Sequence, residues 1–150
     1  KALGKIFKSN NLKFTELFTA NPHIFVSTSN PLANKKSVKM KDLAPYPYLS
    51  YEQGEHNSFY YSEEIFSTEE RLKNIRVTDR ATLFNLLIGL NGYTVCSGVI
   101  DSSLNGENIV SIPLDKEGVM RVGILTHNDI IQSEMAQYYI SSLSKYINVE

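Results

Sequence analysis

Cysteine is almost absent from this chain of 150 residues, with Cys96 as its single example. One thiol excludes an internal disulfide framework and is typical of a protein from a reducing compartment. Apolar runs long enough to cross a bilayer are also missing, and no signal peptide opens the chain. These absences predict a cytoplasmic protein with no membrane partner.

An excess of charge of one sign is missing as well. Fifteen Lys and Arg face sixteen Asp and Glu, so the net charge is -1. Binding to a nucleic-acid backbone needs a concentrated cationic face. The densest basic cluster lies between Lys35 and Lys41, and we interpret it as a solvated loop and helix start. This chain is therefore not expected to contact DNA itself.

The residue patterns of catalysis and of metal binding are not found. Three histidines lie far apart, without the spacing of metal ligands, which argues against a zinc site. They are His23, His56 and His127. The acidic pairs Glu63-Glu64 and Glu69-Glu70 fit a solvated helix face better than acid–base chemistry. Cys96 stands in an apolar strand, which favours a buried structural thiol over a nucleophile. The sequence predicts no enzyme, no metal and no cofactor.

Strands and helices alternate along the chain, which predicts an α/β fold with a largely parallel sheet. The predicted strands are Leu12–Phe18, His23–Ser27, Tyr46–Tyr51, Asn74–Thr78, Tyr93–Cys96, Ile109–Leu114 and Met120–Thr126. The predicted helices are Val38–Leu43, Ser58–Thr68, Arg80–Leu90 and Ser133–Ile147. The last two strands are close in sequence, which fits antiparallel or crossing strands.

The most informative segment runs from Val77 to Cys96. Its pattern predicts the end of one strand, followed by a helix, a turn and the next strand. An apolar stripe at helical spacing marks the buried face of the helix. It comprises Leu83, Leu86, Leu87 and Leu90. Asn91-Gly92 is typical of a left-handed helix end. The backbone N–H groups in the first turn of such a helix have no partner within the helix, so they can bind a small anion.

Candidate ligand residues follow the predicted parallel strands. Thr78 either binds a ligand or merely caps the next helix, and its sequence leaves both open. Asp79 is interpreted as the cap, because a carboxylate would repel an anion. A second group is Gln53, Gly54, Asn57 and Ser58, in a loop and at a helix start. Ser97 follows the strand that ends at Cys96. For the second group and for Ser97, an ordinary surface turn or cap is the alternative.

An ordered set of segments resembles the effector-binding domain of LysR-type transcriptional regulators. The matching segments are Phe25–Ala33, Val38–Leu43, Tyr46–Leu49, Val77–Tyr93, Ile109–Leu114 and Arg121–Leu125. Two details depart from the family pattern. Asn30 stands where the family has His before Pro-Leu-Ala, and Asn91-Gly92 alters its Gly-Leu-Gly turn.

The resemblance implies a type II periplasmic-binding-protein-like fold of two lobes, with a ligand in the cleft between them. In this chain it implies one complete lobe plus part of the other. Residues from about 1 to 24 would be a remnant of lobe I together with the hinge. Residues from about 25 to 115 would form lobe II. In residues from about 116 to 150 the chain would return to lobe I. The DNA-binding winged helix-turn-helix and the start of lobe I would be missing. The family position that matches Thr78 faces the cleft.

The function implied is sensing of a small metabolite or anion. The Thr78-Asp79 strand end and the loop from Tyr51 to Ser58 look most like regulators of cysteine and methionine synthesis. DNA would be bound only through the missing head. The bare surface of the partial lobe, chiefly on the Ser133–Ile147 helix, would favour a homodimer or higher oligomer. Two alternatives stay open: a fragment of a transport-type solute-binding protein, and an α/β enzyme with an incomplete active site.

Overall fold

The computed structural model describes residues 2–52, 65–66 and 69–147. The predicted loop after Glu52 and most of the helix predicted from Ser58 lie outside these ranges. The predicted end of that helix, at about Thr68, is wrong. Ile65 and Phe66 form a turn, and Phe66 has a φ of 63°. A residue in the left-handed region cannot continue a right-handed helix.

The other predicted elements are present with small shifts of their ends. The helices are α1 (Ala2–Ser9), α2 (Met40–Leu43), α3 (Arg80–Gly89), α4 (Ser102–Asn105) and α5 (Glu134–Ile147). The strands are β1 (Leu12–Ala20), β2 (His23–Ser27), β3 (Tyr48–Tyr51), β4 (Asn74–Val77), β5 (Tyr93–Cys96), β6 (Ile109–Pro113) and β7 (Met120–His127). Within the described residues, no helix has the length and apolarity needed to cross a membrane.

The chain divides into two compact units. One unit is Asn21–Met120, and the other combines the residues up to Ala20 with those from Arg121 onward. The first unit holds a sheet in the order β4-β3-β5-β2-β6. Strand β3 runs parallel to β4 and β5, whereas β2 runs antiparallel to β5 and β6. The predicted parallel sheet is therefore interrupted by one reversed strand.

The last two strands do not pair with each other. Strand β6 pairs with β2, and β7 pairs with β1 in a separate sheet. The reason lies just after β6, where the backbone is already bonded to two distant segments. Val38 N–H donates to the Pro113 carbonyl at 3.0 Å, and Leu114 N–H donates to the Pro22 carbonyl at 2.9 Å. These bonds direct the chain away from a hairpin.

Period-two alternation gives the large sheet two buried faces. One face includes Ile24, Val26, Tyr48 and Val95. The opposite face buries Phe25, Leu49, Val77, Leu83, Leu87 and Ile109. Helix α3 covers this second face through Leu83 and Leu87, which are 1% and 0% exposed. Burial of each such leucine stabilises the fold by about 1.5–3 kcal/mol.

The predicted stripe of α3 is wrong at its end. Leu90 is 47% exposed because the helix stops at Gly89 and the chain turns away. Asn91 takes the left-handed conformation, with φ 55°. Gly92 is needed for close packing: a Cβ there would lie 3.0 Å from the Pro47 carbonyl oxygen. This turn delivers the chain directly into β5.

A buried arginine fastens the segment before β4 to the sheet. The Arg71 side chain is 8% exposed and lies over the Tyr48 ring at 3.9 Å. Its guanidinium donates to the Tyr93 hydroxyl at 3.1 Å and to the Phe66 carbonyl at 2.8 Å. Burial raises the pKa of Tyr93, and the nearby Arg71 opposes that rise. Phe66 and Ile65 also pack against this face of the sheet.

The second unit consists of α1, β1, β7 from Arg121 onward, and α5. Helix α1 has no counterpart among the elements predicted from the sequence. Ser133 caps α5, and its Oγ accepts a hydrogen bond from the Ala136 N–H at 3.2 Å. Tyr139 is 63% exposed, beside Met135 at 75% and Tyr138 at 71%. Helix α5 thus presents an apolar exposed face.

Candidate ligand-binding site

Three parallel strands end side by side in the unit Asn21–Met120. Tyr51 is paired with Val77 in the β3–β4 register, and β5 lies on the other side of β3. Thr78 follows β4 and is exposed, and Ser97 follows β5 and is half-buried. The remaining predicted ligand residues, Gln53, Gly54, Asn57 and Ser58, lie outside the described residues. The structure thus places Thr78 and Ser97 at the carboxyl ends of strands in one sheet.

Asp79 is the cap of α3, as predicted. Its Oδ1 accepts a hydrogen bond from the Thr82 N–H at 2.8 Å, and its Oδ2 accepts one from the Thr82 hydroxyl at 2.7 Å. These bonds from Thr82 lower the pKa of Asp79 below its ordinary value. The Asp79 carboxylate occupies part of the anion-binding position that the sequence predicted at the start of α3. Because Asp79 caps the helix, Thr78 is not needed as the cap.

Ser97 lies at a sharp turn that requires glycine. Gly98 has a φ of 84°, and a Cβ there would lie 2.6 Å from Cγ of the His23 ring. The backbone therefore passes close to the start of β2 and then leaves the sheet. The Val99 N–H donates to the Ser97 Oγ at 3.4 Å, a long contact that leaves the hydroxyl accessible to other partners.

A cavity of about 270 Å³ opens between the sheet and α3. It is lined by Phe25, Tyr51, Arg80, Leu83, Phe84, Thr94, Val95, Cys96, Ser97 and Met120. Ser97 is therefore a wall residue of the cavity, and Thr78 is not. The lining combines an apolar floor with several polar side chains, which is the usual make-up of small-molecule sites.

Arg80 is a lining residue that sequence reasoning missed. Its Cζ lies 4.7 Å from the centre of the Phe84 ring, and its Nη2 donates to the Asn105 Oδ1 at 3.0 Å. Within the described part of the chain, no carboxylate forms an ion pair with it. Helical spacing places Arg80 and Phe84 one turn apart, and this i,i+4 pairing was the available signal.

Thr94 was also missed. It is 4% exposed, and its Oγ1 has no hydrogen-bond partner among the described residues. A polar side chain at an inward position of an apolar strand was its signal.

Cys96, predicted to be buried, is only half-buried, because its side of β5 opens to the cavity. The Cys96 thiol lies 3.7 Å from the His23 carbonyl oxygen.

Metal binding has no support in the part of the chain that the structure describes. No group of three or more His, Cys, Asp or Glu side chains there is arranged to hold an ion. The lining of the cavity contributes one thiol and no carboxylate or imidazole. This donor set suits an organic ligand better than a divalent cation.

No protein-family model matches the chain, and no curated protein matches it. Many solved structures do. A putative LysR family regulator, the PA01 protein of Pseudomonas aeruginosa, superimposes with a TM-score of 0.67 at 12% identity, covering 92% of this chain and 49% of that one. HinK, a LysR family regulator of the same species, gives 0.66 at 12% identity, covering 91% and 48%.

The effector-binding domain of QuiR in complex with shikimate gives a TM-score of 0.61 at 15% identity, covering 91% of this chain and 65% of that domain. The chain has the fold of a LysR-type effector-binding domain. The α/β fold expected from the resemblance is thereby confirmed. This chain spans about half the length of the two Pseudomonas proteins.

Proposed function

We propose that this chain is the small-molecule-sensing part of a LysR-type transcription regulator. The observation that carries the proposal is the cavity beside the carboxyl ends of β3 and β5, in a fold shared with effector-binding domains. Ligands of open α/β sheets bind outside the carboxyl ends of the strands. Ser97 is proposed to donate or accept hydrogen bonds in the cavity. Thr78, outside the cavity wall, is proposed to bind the ligand at the same edge of the sheet, and Gln53, Gly54, Asn57 and Ser58 remain the other proposed ligand residues.

The proposed mechanism needs no covalent chemistry. An effector that binds one arrangement of the two lobes more tightly than the other shifts the population toward that arrangement. The shift would alter the spacing of subunits and of DNA-binding heads encoded outside these residues. The free energy that couples effector binding to DNA binding comes from the difference between the effector's affinities for the two arrangements. The coupling is reciprocal, so DNA binding changes the affinity for the effector by the same factor. Under this proposal the protein is not an enzyme, because the effector leaves unchanged.

The finer parts of the proposal concern the effector and the assembly. A sulfur metabolite or small anion is the effector implied by the likeness to regulators of cysteine and methionine synthesis. Self-association is favoured by the exposed apolar face of α5, including Met135 and Tyr138. A cytoplasmic location fits the single cysteine.

The test is a ligand screen on the complete gene product. Melting temperature would be recorded with sulfate, O-acetylserine, shikimate, benzoate and 2-PG. We expect at least one compound class to raise the melting temperature by several degrees, since a ligand at about 100 times its Kd stabilises by about 2.7 kcal/mol. The bound compound should be recovered unchanged by NMR, and it should alter retention of the gene's own upstream DNA.

Different failures reject different parts of the proposal. Consumption of the ligand would favour the α/β enzyme, and stabilisation without any DNA binding would favour the solute-binding protein. No stabilisation by any small metabolite would reject effector sensing. No response to sulfate and O-acetylserine, with a response to other compounds, would reject only the sulfur subgroup.

A further inference from the structure

The cavity between β5 and α3 differs from a simple anion site in its chemistry. Its floor is apolar, one buried hydroxyl lines its wall, and a guanidinium lies beside it. We infer that the effector is a small organic carboxylate with an apolar ring or branched body that carries one further hydrogen-bonding group. This inference rests on the proposed function and names the class of ligand for it.

The apolar body is argued from the aromatic side chains. The Phe25 and Phe84 rings meet edge to face with centroids 6.2 Å apart, and Leu83 lies on the same helix. A cavity of about 150 Å³ holds benzene, so the volume of about 270 Å³ admits a ring with a substituent. A bare inorganic anion would lose hydration against the apolar part of this lining and gain no apolar contact in return. The lining therefore favours an organic occupant.

The carboxylate is argued from Arg80. Its side chain has one described hydrogen bond, to Asn105, and no ion pair with a carboxylate in the described residues. Asp79, next to Arg80 in the chain, and Asp101, which caps the helix that contains Asn105, accept hydrogen bonds at the starts of their own helices. The remaining donors of the planar guanidinium suit a carboxylate, which arginine binds through two parallel bonds.

The further hydrogen-bonding group is argued from Thr94. A buried hydroxyl without a partner costs free energy, and native structures keep few of them. Thr94 lines the cavity, is 4% exposed, and has no partner for its Oγ1 among the described residues. A hydroxyl or carbonyl of the ligand would satisfy it. Cys96, two residues along the same strand, lines the same cavity.

The first experiment tests the carboxylate with benzoate, benzyl alcohol and sulfate as probes. Calorimetric titration of the complete gene product should show benzoate binding at least about tenfold more tightly than the other two. Arg80→Gln should weaken benzoate binding about tenfold to hundredfold and leave benzyl alcohol unchanged. Arg76→Gln is the matched control, because Arg76 is exposed, pairs with Glu52 and does not line the cavity.

The second experiment tests the hydroxyl with 3- and 4-hydroxybenzoate. One of these should bind more tightly than benzoate to the natural protein, and Thr94→Val should abolish that preference. Ser111→Ala is the control: its Oγ is also buried without a described partner, yet Ser111 does not line the cavity. Both variants should melt no lower than the natural protein, since each removes an unpaired hydroxyl.

Three results would overturn the inference: tighter binding of sulfate than of benzoate, equal effects of the Arg80 and Arg76 variants, or no binding of benzoate, the hydroxybenzoates or the branched carboxylate isovalerate. Binding of a different metabolite class in the screen would still leave effector sensing intact. The failure of the ligand class and the failure of the function are thus separable.

Discussion

Arg71 shows how one side chain organises a loop. Its guanidinium donates to the carbonyls of Phe66 and Glu69 and to the Tyr93 hydroxyl, and it lies on the Tyr48 ring. Burial of a charge is costly unless hydrogen bonds and opposite charge surround it. The Glu69 carboxylate, 3.9 Å from Nη2, supplies the opposite charge. The hydrogen bonds of Nε and Nη1 and the nearby carboxylate therefore offset part of the cost of burying Arg71, while its Nη2 has no hydrogen-bond partner among the described residues.

Replacement of Arg71 by Met is expected to destabilise the chain by about 2–4 kcal/mol, because two carbonyls and one hydroxyl lose their donor. Arg71→Lys should recover little, since an ammonium cannot replace the planar fork. Urea unfolding measures both. Arg76→Met, at an exposed position on β4, should change stability by no more than about 0.5 kcal/mol. Equal midpoints for the Arg71 and Arg76 variants would contradict this account.

Helix α3 and its turn into β5 illustrate constraint at the level of the element. The cap at Asp79 begins the helix, two leucines fix it to the sheet, and Asn91 ends it with a positive φ. Two glycines lie near this end, and they differ in how much space surrounds them. Gly89 is inside the helix, and a Cβ added there would have nothing within 4 Å, whereas Gly92 is pressed against Leu49 and Pro47.

The two glycines are expected to respond with opposite signs to alanine. Gly89→Ala should stabilise the chain by about 0.5–1 kcal/mol, because alanine loses less conformational entropy in a helix. Gly92→Ala should destabilise it by about 1–3 kcal/mol, because the new methyl group would lie 3.0 Å from backbone and side-chain atoms. Thermal unfolding of the two variants is the measurement. Changes of the same sign would show that packing around Gly92 adapts.

The two units differ in how much core each contains. Every described residue classed as buried lies in the unit Asn21–Met120, and none lies in the described part of the other unit. Strands β1 and β7 form a two-stranded sheet by themselves. A two-stranded sheet is marginally stable in water. Stability is therefore expected to be unequal along this chain.

Hydrogen exchange of the 150-residue chain checks this expectation. Amides of β2 and β5 should exchange at least about tenfold more slowly than amides of β1 and β7, because the first pair lies in the interior of the larger sheet. Mass spectrometry of peptides from the four strands gives the comparison. Equal protection of all four strands would contradict it and would mean that the chain opens as one cooperative unit.

The candidate site shows the limit of sequence reasoning most clearly. Asp79 can be predicted as a cap because its function is local, within three residues of its partner Thr82. Arg80 and Thr94 escape such reasoning because their importance depends on a cavity formed by two elements. The sequence marks Thr78 and Ser97 as strand ends, but it does not show that, of these two, Ser97 alone reaches the cavity wall.

By itself, the sequence determined the alternation of strands and helices, the cap of α3, and the ordered segments that resemble a LysR-type effector domain. These features depend on periodicity and on contacts a few residues apart. Only the tertiary structure decided the reversed direction of β2, the separation of β6 from β7, and the presence of Arg80 and Thr94 in the lining of one cavity. Such features depend on contacts between residues far apart in sequence, and no local pattern encodes which distant strand is the partner.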